Sequence, residues 1–121
     1  MTSVITVDGP SGVGKGTISE YLSDKLKWNY LNSGALYRSI AWVAINESIE
    51  LNDTVGLDNA SKNISFTLHD KKLLIEYKRK TIGSLIYNEE VAKTASKVAS
   101  NPKVRKSIVN IQRQFKKEPG L

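Results

Sequence analysis

Gly9-Pro10-Ser11-Gly12-Val13-Gly14-Lys15-Gly16-Thr17 is the stretch around which this chain is organised. A short, mostly β-branched run, Val4-Ile5-Thr6-Val7, stands before it, and Ile18, Tyr21, Leu22 and Leu26 follow in a helical pattern. Strand, glycine-rich turn and helix in that order is the setting of a phosphate-binding loop. Gly9, Gly14 and Lys15 fit the pattern G-x-x-x-x-G-K. Glycines let successive N–H groups turn inward with no Cβ between them and an oxyanion. A helix starting near Lys15 adds its positive end, and the lysine reaches the outer phosphates as a mobile point charge. Most such loops carry Ser or Thr directly after the lysine. Here that place is Gly16, and the hydroxyl comes one residue later, at Thr17. A chance glycine-rich turn is the competing reading, and it leaves the strand before and the helix after unexplained.

The chain has 121 residues, which is one domain or part of one. Hydrophobic residues make up 40%, enough to form a core. No apolar run approaches the roughly 20 residues of a membrane span. Met1-Thr2-Ser3 leads directly into the expected strand, which reads as no signal peptide. Cysteine is absent, which excludes disulfides and thiolate metal sites and suits a cytoplasmic protein. The net charge of +6 is unevenly spread. Residues 71–117 hold 13 of the 18 Lys and Arg, with only Glu76, Glu89 and Glu90 among acids. Such a stretch suits a solvated helical face or an anionic small ligand. Nucleic acid is disfavoured, because Tyr77, Tyr87 and Phe115 are far apart and form no aromatic–basic pattern.

Taken in order, Val4 to Val7 reads as a buried parallel strand bounded by Asp8-Gly9. The helix after the loop runs to about Lys25, with Ser19, Glu20, Ser23 and Asp24 on its wet side. Trp28 to Leu31 is an extended link. Asn32 or Ser33 caps a second helix, apolar nearly all round through Ile45. Arg38 stands out on it, either as a surface arginine lying along Trp42 or as an anion clamp near the loop. A short helix is possible near Val55 to Ala60. Ile64, Phe66 and Leu68 alternate with polar residues, Asp70-Lys71-Lys72 turns, and Leu73 to Tyr77 returns as a hairpin. A third extended piece is expected at Ser84 to Tyr87. Asn88 caps a helix striped by Val91, Ala95, Val98 and Ala99. Asn101-Pro102 opens another, with Val104, Ile108, Ile111 and Phe115 at helical spacing and Pro119-Gly120 ending it. One strand–helix unit makes no parallel sheet by itself, so the sequence reads as unfinished.

Three separated stretches carry a family resemblance. Residues 9–17 resemble the G-K-G-T loop of nucleoside monophosphate kinases. Leu31-Asn32-Ser33-Gly34-Ala35-Leu36-Tyr37-Arg38 resembles the L-D-S-G-A-[IL]-Y-R of bacterial cytidylate (CMP) kinases. Val91 to Arg113 resembles that family's A-S-x-V-A-x-x-P-x-V-R-x-x-L-x-x-x-Q-R pattern through Ala95-Ser96, Val98-Ala99, Pro102, Val104-Arg105 and Gln112-Arg113.

The resemblance implies an α/β fold of the P-loop NTPase class, nucleoside monophosphate kinase-like. Residues 1–59 would be part of the core and 60–115 an inserted α+β NMP-binding subdomain. The whole of 1–121 would be the N-terminal part of one domain, with an aspartate- and arginine-bearing block expected to follow. It implies transfer of phosphate from ATP to CMP or dCMP with Mg²⁺. By the same resemblance Gly9, Pro10, Ser11, Gly12, Val13, Gly14, Lys15, Gly16 and Thr17 bind ATP, and Lys15 stabilises the transferred group. Thr17 lies near Mg²⁺, directly or through a water. Ser33 and Arg38 line the acceptor side, with Arg38 on the CMP phosphate, while Ser96 and Arg105 meet the cytosine edge. Two positions depart from the pattern: Asn32 replaces an aspartate, and Tyr87 stands where arginine is frequent. If 121 residues are the whole protein, little or no turnover is expected, because catalytic cations are missing. A non-catalytic nucleotide-binding module is the alternative.

Overall fold

The computed structural model describes residues 2–8, 14–70 and 72–121. Among these are five α-helices and a three-stranded sheet, so the chain is mixed α/β. The element that organises the packing is α2, Ser33–Asn46. Asn32 caps it, its side chain accepting from the Gly34 amide at 3.0 Å. Ala35, Leu36, Ile40, Ala41, Val43 and Ala44 are all buried. That near-continuous apolar surface needs cover on several sides, and it has it. α3 (Thr54–Asn63), α4 (Glu89–Val98) and α5 (Pro102–Gln114) all pack against α2. They contribute Leu57 and Ala60, Val91, Ala95 and Val98, and Val104 and Ile108 respectively. Burying each large side chain is worth roughly 1.5–3 kcal/mol.

The helix starts follow the capping rules. The Asn88 side chain accepts from the Val91 amide at 2.8 Å, with Glu89 and Glu90 in the first turn of α4. Asn101 caps α5 ahead of Pro102. Asp53 caps α3, accepting from Gly56 at 2.9 Å. That cap, together with buried Leu57, Ala60 and Ser61, explains why the helix there is longer than the Val55–Ala60 expected.

The hairpin forms as expected, antiparallel, from β1 (Ile64–His69) and β2 (Lys72–Tyr77). Ile64 pairs with Tyr77, Phe66 with Ile75 and Leu68 with Leu73, which sets these six residues on one face, while Leu74, opposite Thr67, lies on the other. Asp70 turns with φ 50°, and Lys71 lies outside the described residues.

Three expectations need correction. The third extended piece is not Ser84–Tyr87 but β3, Lys80–Thr81, paired with β2. The turn before it is Lys78-Arg79, both left-handed at φ 49° and 65°, where Asn-Gly would be the ordinary signal. Residues 84–87 instead belong to a turn that buries Ile82 and Ile86 together, with the Leu85 amide donating to the Ile82 carbonyl at 2.8 Å. Second, Val4–Val7 is not a buried strand. Val4 and Ile5 are 44% and 45% exposed, and the pairing is one parallel bridge, Ser3 to Gly120. A ladder needs a partner as long as itself. The neighbour here is Gly120-Leu121, linked through Leu121 N–H to the Ser3 carbonyl and Ile5 N–H to the Leu121 carbonyl. Third, Ser23 is buried, not wet. Its hydroxyl donates to the Trp28 carbonyl at 2.6 Å and closes the end of α1 (Lys15–Leu26).

Candidate functional site

The loop that dominates the sequence is described only at its end. Gly9 to Val13 lie outside the described residues. Gly14 caps α1 in the left-handed region, φ 84° and ψ 23°, and its carbonyl accepts from the Ile18 amide at 3.1 Å. A side chain there would be strained, which is a physical reason for glycine. Lys15 opens the helix half-buried, and Gly16 and Thr17 are exposed beside it. No acidic residue stands in that first turn. The lysine and the helix end therefore place uncancelled positive potential at one spot.

Tyr30 closes over this spot from the extended link. Its hydroxyl oxygen lies beside Gly16, close enough to touch a Cβ added there. Burial pushes the Tyr30 phenol above its ordinary range, helped by the neighbouring Glu20 carboxylate and then by Tyr87. The phenol therefore stays protonated, and it can donate a hydrogen bond.

A cleft of about 570 Å³ opens next to it, lined in part by Glu20, Tyr30, Asn32, Ala35, Lys72 and Tyr87. It thus joins α1, the start of α2, the hairpin and the segment before α4. Arg38 sits at its Tyr87 side. The guanidinium carbon lies 5.2 Å from the centre of the Tyr87 ring, a cation–π distance. Among the described residues Arg38 makes no ion pair. It does not lie along Trp42, whose ring is taken by Lys80 at 6.0 Å and by Tyr77 edge-on at 6.3 Å.

The remaining expected residues are placed differently. Ser33 is exposed at the first turn of α2 and lines a second cleft, of about 420 Å³, with Val4, Ile5, Ser19, Leu26 and Tyr30. Ser33 and Arg38 are five residues apart, so they project about 140° apart around the helix axis. Ser96 is exposed on α4, its hydroxyl donating back to the Ala92 carbonyl at 3.3 Å. Arg105 is exposed on α5. Among the described residues no hydrogen bond joins either of them to Ser33 or Arg38. The structure therefore sets Ser33 and Asn32 at two neighbouring clefts that share Tyr30, places Arg38 against Tyr87 of the second, and leaves Ser96 and Arg105 exposed on α4 and α5. Tyr30 and Tyr87 were not among the expected site residues. Tyr30 carries no motif signal, and Tyr87 was legible only as a departure from a pattern.

Comparison with known proteins gives first a class and then a family. The relatives are kinases, that is phosphotransferases, and their family model, cytidylate kinase, matches residues 5–121. A cytidylate kinase of Aeromonas salmonicida is 37% identical over 123 residues, covering 100% of this chain and 54% of that protein. One of Shewanella sediminis is 42% identical over 124 residues, covering 98% and 53%. One of Shewanella denitrificans is 41% identical over 125 residues, covering 99% and 55%. This chain belongs to the cytidylate kinase family. It spans about half the length of the curated relatives it matches.

Proposed function

We propose that the chain carries the nucleotide-binding part of an ATP-dependent kinase acting on CMP or dCMP. The observation that supports it best is Arg38: a guanidinium with no carboxylate partner among the described residues, held against Tyr87, which lines a cleft that also meets α1. An arginine in that state is suited to a phosphate, which its planar fork grips through two parallel hydrogen bonds.

In this reading residues 9–17 hold ATP and Lys15 neutralises charge on the transferred phosphoryl group. Ser33 and Arg38 hold the acceptor, and Ser96 and Arg105 meet the base. Residues 1–59 form the core side and 60–115 the acceptor-side insert. Thr17, exposed in the first turn of α1, offers one oxygen ligand to Mg²⁺. No group of three or more carboxylate or histidine side chains that could hold a metal occurs among the described residues. Bound there with ATP, Mg²⁺ would offset the charge of the phosphates.

The chain's own residues position the two substrates. Lys15 and the helix end draw the donor phosphates, and Arg38 draws the acceptor phosphate toward them. The protonated Tyr30 phenol beside Gly16 helps keep water from that approach.

Coupled measurement of ADP release with CMP, dCMP, UMP and AMP, on a chain extended to the length of its relatives, tests the reading. Faster release with CMP or dCMP than with AMP is expected, and Lys15→Ala should reduce it by about 10³-fold or more. Equal rates with AMP and CMP would overturn the cytosine assignment. Binding without turnover is a second reading. Calorimetric CMP binding with no ADP release selects it.

A further inference from the structure

We infer that Tyr87 is a positioning residue that holds the Arg38 guanidinium ready for the acceptor phosphate. The inference rests on the acceptor-site reading above.

An arginine side chain is long and loses considerable rotamer freedom when it is fixed. The usual device for fixing one is a carboxylate, which neutralises the charge and occupies the N–H donors. Arg38 is held differently. Its guanidinium carbon lies 5.2 Å from the Tyr87 ring centre, and no ion pair restrains it among the described residues. A cation over an aromatic face is attracted by the ring quadrupole. Unlike a carboxylate, the ring leaves the positive charge of the guanidinium intact.

The ring can serve as a platform because its backbone is anchored on both sides. Ile86 is fully buried, and Asn88 is tied to the start of α4 by its bond from the Val91 amide at 2.8 Å. α4 packs against α2, the helix that carries Arg38. The ring thus stands two residues before a helix that packs on the one carrying the guanidinium. The ring itself is 60% exposed, so it has little part in the core. Tyr87 also lines the 570 Å³ cleft, together with Asn32 and Tyr30. Where arginine occupies this position, a second positive charge would be present instead. Tyrosine substitutes orientation for charge.

Nuclear magnetic resonance of the full 121-residue chain reads the contact directly. The Arg38 Nε–H and Cδ–H signals should be displaced by the Tyr87 ring current in the wild type and in Tyr87→Phe, and should return to ordinary positions in Tyr87→Leu. Calorimetry with CMP gives the consequence. Tyr87→Leu should weaken binding about two- to fivefold, the worth of one exposed cation–π contact, and Tyr87→Phe should restore it. In an Arg38→Met background, followed at millimolar CMP, Tyr87→Leu should cost nothing further. Undisplaced Arg38 signals in the wild type overturn the inference whatever the binding result. So does equal CMP affinity for the wild type and Tyr87→Leu, which leaves the acceptor-site reading standing. An equal loss in both backgrounds makes Tyr87 a direct ligand contact and also overturns it. A wild type that binds no CMP removes the acceptor-site reading and the inference with it.

Discussion

Two helices with apolar sequences have opposite fates in this molecule. In α2, Leu36, Ile40 and Val43 are fully buried among α3, α4 and α5. In α1, Ile18 is 51% exposed, Tyr21 60% and Leu26 42%, and Val4 and Ile5 in the segment before it are exposed to a similar degree. The second group is as apolar as many cores. The difference is not composition but neighbours. Apolar periodicity states that a face favours cover, and it does not supply the cover. In the function proposed above, the same contrast would separate the two halves of the candidate site. The acceptor side would be built on α2 and α4, within the packed body. The donor side would be built on α1, whose apolar residues are exposed.

The contrast can be tested most strongly by truncating one apolar side chain in each helix. Ile40→Ala in α2 should lower the free energy of unfolding in urea by about 2–5 kcal/mol, whereas Ile18→Ala in α1 should change it by about 0.5 kcal/mol or less. Equal losses would mean that α1 is covered in solution and would remove the distinction. A smaller effect is expected from caps. Asn88→Ala, which frees the Val91 amide at the start of α4, should cost about 1 kcal/mol, and Asn88→Asp should recover most of it.

The smallest effect concerns the packed body's response to acid. Hydrogen bonds from Ser107, then from Lys62, hold the Asp58 carboxyl below its ordinary range, with Ser107 Oγ at 2.7 Å and Lys62 at 3.0 Å. A carboxyl depressed by folding favours the folded state above its unfolded pKa, and that contribution is lost as pH falls through the lower folded value. The melting temperature of the wild type should therefore fall more steeply below about pH 4 than that of Asp58→Asn, in thermal scans at a series of pH values. Identical slopes would show that the link between α3 and α5 carries no pH-dependent stability.

Much of the packed body was legible in the sequence because its signals are local. Asn32, Asn88 and Asn101 mark helix starts, and each is a cap in the structure. Alternation at Ile64, Phe66 and Leu68 marks a strand. The failures share a cause that is not local. β3 follows a Lys78-Arg79 turn that no residue rule announces, and it exists because β2 offers it an edge. Val4 to Val7 has strand composition, but a strand is a relation between two segments, and the described partner is two residues long. The candidate site divides in the same way. Lys15 and Arg38 could be chosen from motif and charge. Tyr30 and Tyr87 belong to the clefts only through the approach of distant segments, which no spacing rule contains.

Gly120 packs so closely on Trp28 that an added Cβ would press into the indole, and its carbonyl accepts from the Asn29 amide at 3.0 Å. Trp42, the chain's other tryptophan, lies edge-on to Tyr77 in the packed body. The molecule thus carries one natural fluorophore in each of its two regions. Emission from Trp28 follows the seam where the amino-terminal segment meets residues 120 and 121, while emission from Trp42 follows the helical body, so one spectrum can report whether the two come apart together or in turn.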